Sequence, residues 1–365
     1  MISFLRKIWK LLKQFEFFYM LKYKRIPDYS IAKRRMSKCS IKTKSQISKE
    51  MDLLRSYWHC NPVHYVRYGL FEKNLPEDKL LDYIPPYIFY EKELPSLPFK
   101  KIPNFDYGKV SLNNLFESRG VPAPFLLAIL YKGKFQLQDG QEIELKNILS
   151  MIEIGETLFF KPDDGTGGFG IIVAKWLGDD CFEVLGEKIN SSQLLTLFRY
   201  DEKYVIQKSI IQREDISKIN PSCVNTLRVI TRYVGDKAEI RCVIMRMGRS
   251  KKQVDNSAQG GISIGIDADT GEFYDYATVE HGTSIFETHP DTGYVFKGKR
   301  IADWEQIRKE IIDIASKFPE MILVGWDIAI SENGVVAIEV NNGFGIDHVQ
   351  CTIGGARRIF DVYPR

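Results

Sequence analysis

Residues 159–170 read FFKPDDGTGGFG: an apolar pair, a lysine, two aspartates, then four glycines within six positions, with the apolar run IIVA following. Glycine loses more backbone freedom on ordering than any other residue, so a glycine-dense loop beside a strand needs an interaction that offsets this cost. A phosphate cradle supplies one, because glycines let backbone amides approach anionic oxygens closely. The stretch differs from the GxxxxGK[ST] loop in that its lysine precedes the glycines. Placed at a strand end, Lys161 can aim an ammonium at a polyphosphate, with Gly165, Thr166, Gly167 and Gly168 closing over it. An ordinary hairpin turn accounts for the same letters, since Asp and Gly are common turn residues.

The second constellation is GWDIAISENGVVAIEVNNGFG, residues 325–345, which reads as two strands around the turn ENG. Asp327 falls on one strand. Glu339 and Asn341 lie two apart on the other and share a face. Two carboxylates and an amide oxygen suit one or two Mg²⁺ ions, hard cations that take few protein ligands and complete their shell with phosphate. Pairing of Asp327 and Glu339 with arginines in a sheet-edge network is the alternative.

The rest of the chain sets the frame. At 365 residues it is long enough for two or three domains and a large core, and 44% hydrophobic with 27% charged residues is an ordinary globular balance. The six cysteines have neither disulfide-framework nor zinc-type spacing, which fits a reducing, cytoplasmic setting. Residues 1–60 carry 15 Lys or Arg against 4 acids, a balance of +11 within an overall +4, which leaves the remainder at −7. Within FLRKIWKLLKQF, residues 4–15, apolar positions recur at helical spacing with cations on the other side. Such a segment either lies on the inner, anionic membrane surface, with residues 1–25 as the peripheral contact, or docks on the body of the protein. The basic stretch 32–43 has no recognisable nucleic-acid-binding fold around it, so no nucleic acid is expected.

Four regions are expected: a basic helical region at 1–95, a connecting part at 96–150, a small lid unit at 151–211 and a larger unit at 212–365. LNNLFESRG reads as a helix closing on Gly120, and DWEQIRKEIIDIASK as a helix with Asp303 as N-cap. TLFFKP, GIIVAKW, FEVLGE, YVIQKSII, NTLRVITRYV and AEIRCVIMRM read as strands. The irregular spacing of strands and helices predicts an α+β architecture.

Taken in order, FFKPDDGTGGFGI, VIQKSI, NTLRVI, DNSAQGG, GWDIAI and AIEVNN resemble the ATP-grasp superfamily, and NTLRVIT, HPDTGYVF, GWD and EVNN resemble its sugar-transfer-associated branch. The resemblance spans about residues 105–350. It implies an ATP-grasp fold, two α+β subdomains gripping ATP, and a ligase that activates a carboxylate as an acyl phosphate for attack by an amine. It implies that Lys161 and Lys109 contact phosphates, that Gln207, Lys208 and Ile210 meet adenine, that Asn225 stands near the ribose, and that Asp327, Glu339 and Asn341 hold Mg²⁺. Arg228 and Arg246 become candidates for gripping a carboxylate or developing oxyanion, or for bracing an acid across the sheet. Related D-alanine–D-alanine ligases place an arginine two positions before the first metal aspartate, where this chain has Gly325. Asn256 is a candidate for positioning phosphate or acyl oxygen, or a turn former; His289 is a candidate proton acceptor, or a loop-ordering residue. The family context points to polysaccharide assembly, with a uronic acid and an amino acid or small amine as substrates. A phosphotransferase, a nucleotide-binding regulator without turnover and a membrane-associated scaffold are the rival readings.

Overall fold

The computed structural model describes residues 42–71, 75–97, 108–165, 167–250, 255, 259–280 and 284–364. The amphipathic stretch 4–15 and the basic stretch to residue 41 lie outside the described residues.

Two antiparallel sheets organise the molecule. The first has eight strands: β1 (Leu126–Tyr131), β2 (Lys134–Gln136), β3 (Glu142–Ile143), β4 (Thr157–Pro162), β5 (Ile172–Gly178), β6 (Cys181–Val184), β7 (Glu187–Asn190) and β8 (Tyr204–Lys208), in the order β3-β2-β1-β8-β4-β5-β6-β7. Three of its hairpins turn on two residues that both have positive φ: Lys132–Gly133, Asp179–Asp180 and Leu185–Gly186. That is the geometry whose twist matches the flanking strands. FEVLGE is therefore not one strand; its Leu185–Gly186 pair turns β6 into β7. The sheet takes strands from both sides of residue 150, so the expected boundary between a connecting part and a lid unit falls inside one element of structure.

The second sheet has seven strands: β9 (Thr226–Val234), β10 (Lys237–Met247), β11 (Ile262–Ile266), β12 (Ala277–Thr278), β13 (Ile285–Phe286), β14 (Leu323–Ser331) and β15 (Gly334–Asn341), in the order β13-β12-β11-β10-β9-β14-β15. One face is mainly apolar: Leu227, Val229, Val243, Met245, Val324, Trp326 and Ile328 pack with helix α2 (Lys109–Ser118) and helix α3 (Trp304–Ser316), and the buried Thr231 hydroxyl accepts from the Trp326 indole. Asp303 precedes α3 as expected, yet its side chain makes no capping hydrogen bond and its backbone is left-handed.

The opposite face is divided. Ile230, Cys242, Ile244 and Leu323 are covered by the N-terminal helical region, including α1 (Lys44–Trp58), and by the chain from Phe344 onward. The uncovered half carries charged side chains toward the first sheet. The described residues between 42 and 97 form short helices joined by turns, and they share a core with the C-terminal unit.

A buried ion pair fastens this shared core. Arg67 Nη2 lies 2.6 Å from Asp347 Oδ2 with both side chains almost fully enclosed, and Tyr68 donates its hydroxyl to Asp347 Oδ1 at 2.6 Å. Asp347 belongs to α4 (Ile346–Ile353), which follows the second sheet. Breaking one side of such a pair strands the other charge in low dielectric. Arg67→Met is expected to destabilise the fold by about 3–5 kcal/mol, read as a lowered urea midpoint; replacing Asp347 by Leu in the same chain should recover part of that loss.

Candidate functional site

Strand β4 alternates buried and half-buried positions, which turns Lys161 toward the space between the two sheets. Its Nζ donates to Gln207 Oε1 on β8 at 2.9 Å. Burial pushes the ammonium down to about 8, with Glu339 partly opposing the shift and Lys109 adding to it. Burial disfavours the charged form, so an anion arriving beside Lys161 relieves an existing penalty.

The chain leaving β4 is anchored to α2. Asp163 accepts from Val110 N at 2.9 Å, and its carbonyl oxygen accepts from Lys109 N at 3.2 Å, so the carboxylate caps the helix from 53 residues away. A Cβ on Gly108 would come within 3.0 Å of that carboxylate, which accounts for glycine at the N-cap position. This docking brings Lys109 alongside the glycine loop, where its Nζ donates to Gly165 O at 2.6 Å. Gly167, Gly168 and Gly170 have φ near +70°, a left-handed backbone that other residues adopt at a cost. The glycines are thus required by a path that bends around two lysines.

The facing wall is set by strand register. Asp327 on β14 stands directly opposite Glu339 on β15 and opposite Arg228 on β9, so one row of the sheet presents Glu339, Asp327 and Arg228 side by side. Arg228 Nε donates to Asp327 Oδ1 at 2.6 Å, and Arg246 Nη2 reaches Asp327 Oδ2 at 3.1 Å. Burial alone would raise the Asp327 carboxyl, but the two guanidinium groups hold it below the usual carboxylate range. Burial pushes the Glu339 carboxyl up, and Asp327 opposite adds to the shift. Asn341 lies opposite Gly325. There a Cβ would meet Phe344 Cβ at 2.8 Å and Arg228 Cδ at 3.1 Å, so the aliphatic part of Arg228 occupies the space above Gly325.

One cleft brings together Lys109, Lys161, Gly165, Gly167, Gly168, Gln207, Lys208, Ile210, Arg228, Arg246, Asp327, Glu339 and Asn341. Thr166 and Asn256 lie outside the described residues. Two candidates are placed elsewhere. Asn225 is buried with its amide donating to Ile216 O and Asn220 O, both at 3.0 Å, so it knots the loop before β9 and does not line the cleft. His289 is fully enclosed, with Nε2 2.9 Å from Gly248 O, and orders the ETHPDTG loop. Proton transfer to a substrate in the cleft is therefore not assigned to it.

Three residues at or beside the site escaped the sequence reading. Asp255 in DNSAQGG pairs with the Thr226 hydroxyl and lies 3.6 Å from Arg246 Nε, while Thr226 Oγ1 accepts from Arg246 Nη2 at 2.8 Å. Asp163 is the third. An acid adjacent to an already suspected asparagine was the available signal for Asp255; the partners of Thr226 and Asp163 are remote in sequence and gave none.

Among the described residues no group of three or more His, Cys, Asp or Glu side chains is disposed to hold a metal. The oxygen set on this wall is Asp327, Glu339 and Asn341, with Asp327 shared between two arginines. The half-buried Glu339 carboxylate makes no side-chain hydrogen bond among the described residues and is held above the usual carboxylate range, and a divalent cation would correct both. That set fits a cation whose remaining ligands come from phosphate.

Comparison with curated proteins finds no match. Solved structures with some likeness include D-alanyl-alanine synthetase A from Vibrio cholerae O1 biovar eltor (TM-score 0.38, 10% identity, 69% of this chain and 60% of that one). Others are purK, N5-carboxyaminoimidazole ribonucleotide synthetase, as its ADP complex (0.37, 11%, 67% and 51%), and D-cycloserine synthetase DcsG (0.39, 10%, 71% and 69%). The chain thus spans 60% or less of the length of the first two. The sequence matches the family described as sugar-transfer associated ATP-grasp over residues 94–357, which contains both walls of the cleft. The chain belongs to the sugar-transfer associated ATP-grasp family.

Proposed function

We propose that the protein is an ATP-dependent carboxylate–amine ligase that works through an acyl phosphate and joins an amino acid or small amine to a uronic acid or another carboxylate during surface polysaccharide assembly. The observation that carries this reading is the meeting, in one cleft, of two lysines and a glycine loop with a facing row of Glu339, Asp327 and Arg228. Cations and backbone amides suit the anionic end of a nucleotide, and the acid row suits the cations that accompany it.

In this scheme Lys161 and Lys109 draw the phosphates into the cleft while the backbone around Lys208 and Ile210 flanks the base. Glu339 and Asn341, with Asp327 held between its arginines, would hold Mg²⁺, which neutralises charge on the phosphates when bound. The substrate carboxylate oxygen attacks the γ-phosphorus and ADP leaves. The amine nitrogen then attacks the acyl carbon, and phosphate leaves as the C–N bond forms and the amine gives up a proton. Arg246, donating to the Thr226 hydroxyl and standing beside Asp327, is positioned to meet negative charge at the acyl centre. No protein nucleophile is needed, because catalysis rests on alignment and charge stabilisation.

Two measurements test the scheme. A matrix of carboxylates and amines, scored by ADP release and product mass, should give at least one pair in which ADP release depends on both partners; a stable phosphorylated product that forms without amine would replace the ligase with a phosphotransferase. In the productive pair, Lys161→Ala and Glu339→Ala should each lower the rate at least about 100-fold, in the range of lost transition-state electrostatics, with melting curves retained.

The second uses pH. The Lys161 ammonium sits at about 8 in the free protein, and phosphate selects its charged form. Raising the pH through that value therefore removes protons from the free protein only, and nucleotide affinity falls by up to about tenfold per pH unit above it. Titration with an adenine nucleotide from about pH 7 to about pH 10 should trace this fall, and Lys161→Arg, charged throughout the range, should flatten it. A flat curve for the unaltered protein, together with unchanged nucleotide affinity in Lys161→Ala, would remove Lys161 from the phosphate contact.

A further inference from the structure

We infer that the N-terminal helical region outside the family match is a positioning part of the site: through Tyr90 it fixes the loop that follows Asn341 at the end of β15, and with it the metal-binding wall. This rests on the reading of Asn341 and Glu339 as oxygen ligands proposed above.

The geometry is local and directed. The Tyr90 hydroxyl accepts from Ile346 N at 2.9 Å and donates to Phe344 O at 3.1 Å, so one oxygen clasps the chain where it leaves β15 and enters α4. Beside it Phe89 packs on Phe344 with ring centroids 5.3 Å apart, and Phe344 packs on Phe360 at 5.5 Å. Phe344 in turn sits on Gly325, where a side chain would bring its Cβ within 2.8 Å. Gly325 is the residue paired with Asn341 across the hairpin. Asn341 is thus held from two sides: by strand pairing to Gly325, and by a loop whose next aromatic residue is pinned between Gly325 and the N-terminal region.

The same region grips α4 further along. Gln350 Nε2 donates to Ile84 O at 2.9 Å and Gln350 Oε1 accepts from Ile84 N at 2.7 Å, a strand-like pairing made by a side chain. With Tyr90 on Ile346 and Arg67 on Asp347, the N-terminal chain fastens α4 at residues 346, 347 and 350. The family match begins at residue 94, just beyond this apparatus. Arg67, Ile84, Phe89 and Tyr90 therefore contribute rigidity to ligands they do not touch, in the way outer hydrogen bonds orient metal ligands.

The test is a binding measurement. Adenine nucleotide titrations of the full chain are run without metal and across a Mg²⁺ series, and the Mg²⁺ concentration giving half of the metal-dependent gain in affinity is read. Tyr90→Phe should raise that concentration about tenfold, the lower end of the effect of removing an outer-layer hydrogen bond, while leaving metal-free affinity and melting temperature near those of the unaltered protein. Arg55→Ala, which removes an exposed pair with Asp52 on α1, should change neither quantity. A Mg²⁺ dependence of Tyr90→Phe that overlays the unaltered protein overturns the inference and leaves the ligase reading standing. An unaltered protein whose nucleotide affinity ignores Mg²⁺ overturns both. Should Tyr90→Phe lower the melting temperature, Phe89→Leu, which loosens the Phe344 contact and keeps the hydroxyl, must reproduce the Mg²⁺ shift for the inference to hold.

Discussion

Asp327 is the point on which the two-walled cleft depends. A carboxylate taken out of water loses several kcal/mol of hydration unless cations replace it, and here Arg228 and Arg246 do so from two neighbouring strands. Because side chains alternate along a strand, sliding β14 by one residue would carry Asp327 into the apolar face and turn the Trp326 indole toward the cleft. Both changes are costly. The pairing therefore sets the register of β14 between β9 and β15, and the same register places Glu339 and Asn341 on the cleft side. The register that buries Trp326 and pairs Asp327 is also the one that gives the site its geometry.

The glycine loop follows from a complementary constraint on the other wall. Lys161 is buried enough for its ammonium to be pushed down to about 8, and Lys109 is turned toward the same space by the capping of α2 on Asp163. Two cations held close together repel, and each carbonyl that approaches them lowers that cost. The loop provides such a carbonyl at Gly165, and it can do so only along a path that leaves Gly167, Gly168 and Gly170 left-handed. A close contact of Gly165 with Pro162, whose Cβ would lie 2.9 Å from an added Cβ, excludes a side chain at the first bend as well.

Much of this was legible in the chain. The two hairpins 226–247 and 323–341 have long β-branched runs and plain turn signals, and the spacing of Glu339 and Asn341 states their shared face directly; Asp327 joins them through the cross-strand register. What stayed hidden depends on partners distant in sequence. The short strands β1 to β3 lack a long periodic pattern and are strands because β8 and each other are there to pair with. Helix α4 carries Asp347, His348 and Gln350 inward, polar residues that look solvent-facing until Arg67, Ser263 and the Ile84 backbone are seen to satisfy them. Asn225 misled for the same reason: its neighbourhood in sequence is that of a nucleotide contact, and its amide is spent on a loop. Asp327 paired with arginines and Asp327 as a metal ligand stood as alternatives on paper, and the structure shows the pairing, with Arg228 on Oδ1 and Arg246 on Oδ2.

Gly325 shows how a local departure is absorbed. An arginine at that position cannot coexist with Phe344 lying 2.8 Å from where its Cβ would stand, and Phe344 is committed to an aromatic cluster with Phe89 and Phe360. Guanidinium charge enters instead from β9, where the stem of Arg228 crosses the bare backbone of Gly325 to reach Asp327. The cation and the apolar anchor occupy one small space from opposite directions, and glycine is the side chain that allows both. The glycine at 325 on β14 is thus structurally tied to the helices that cover the neighbouring half of the sheet.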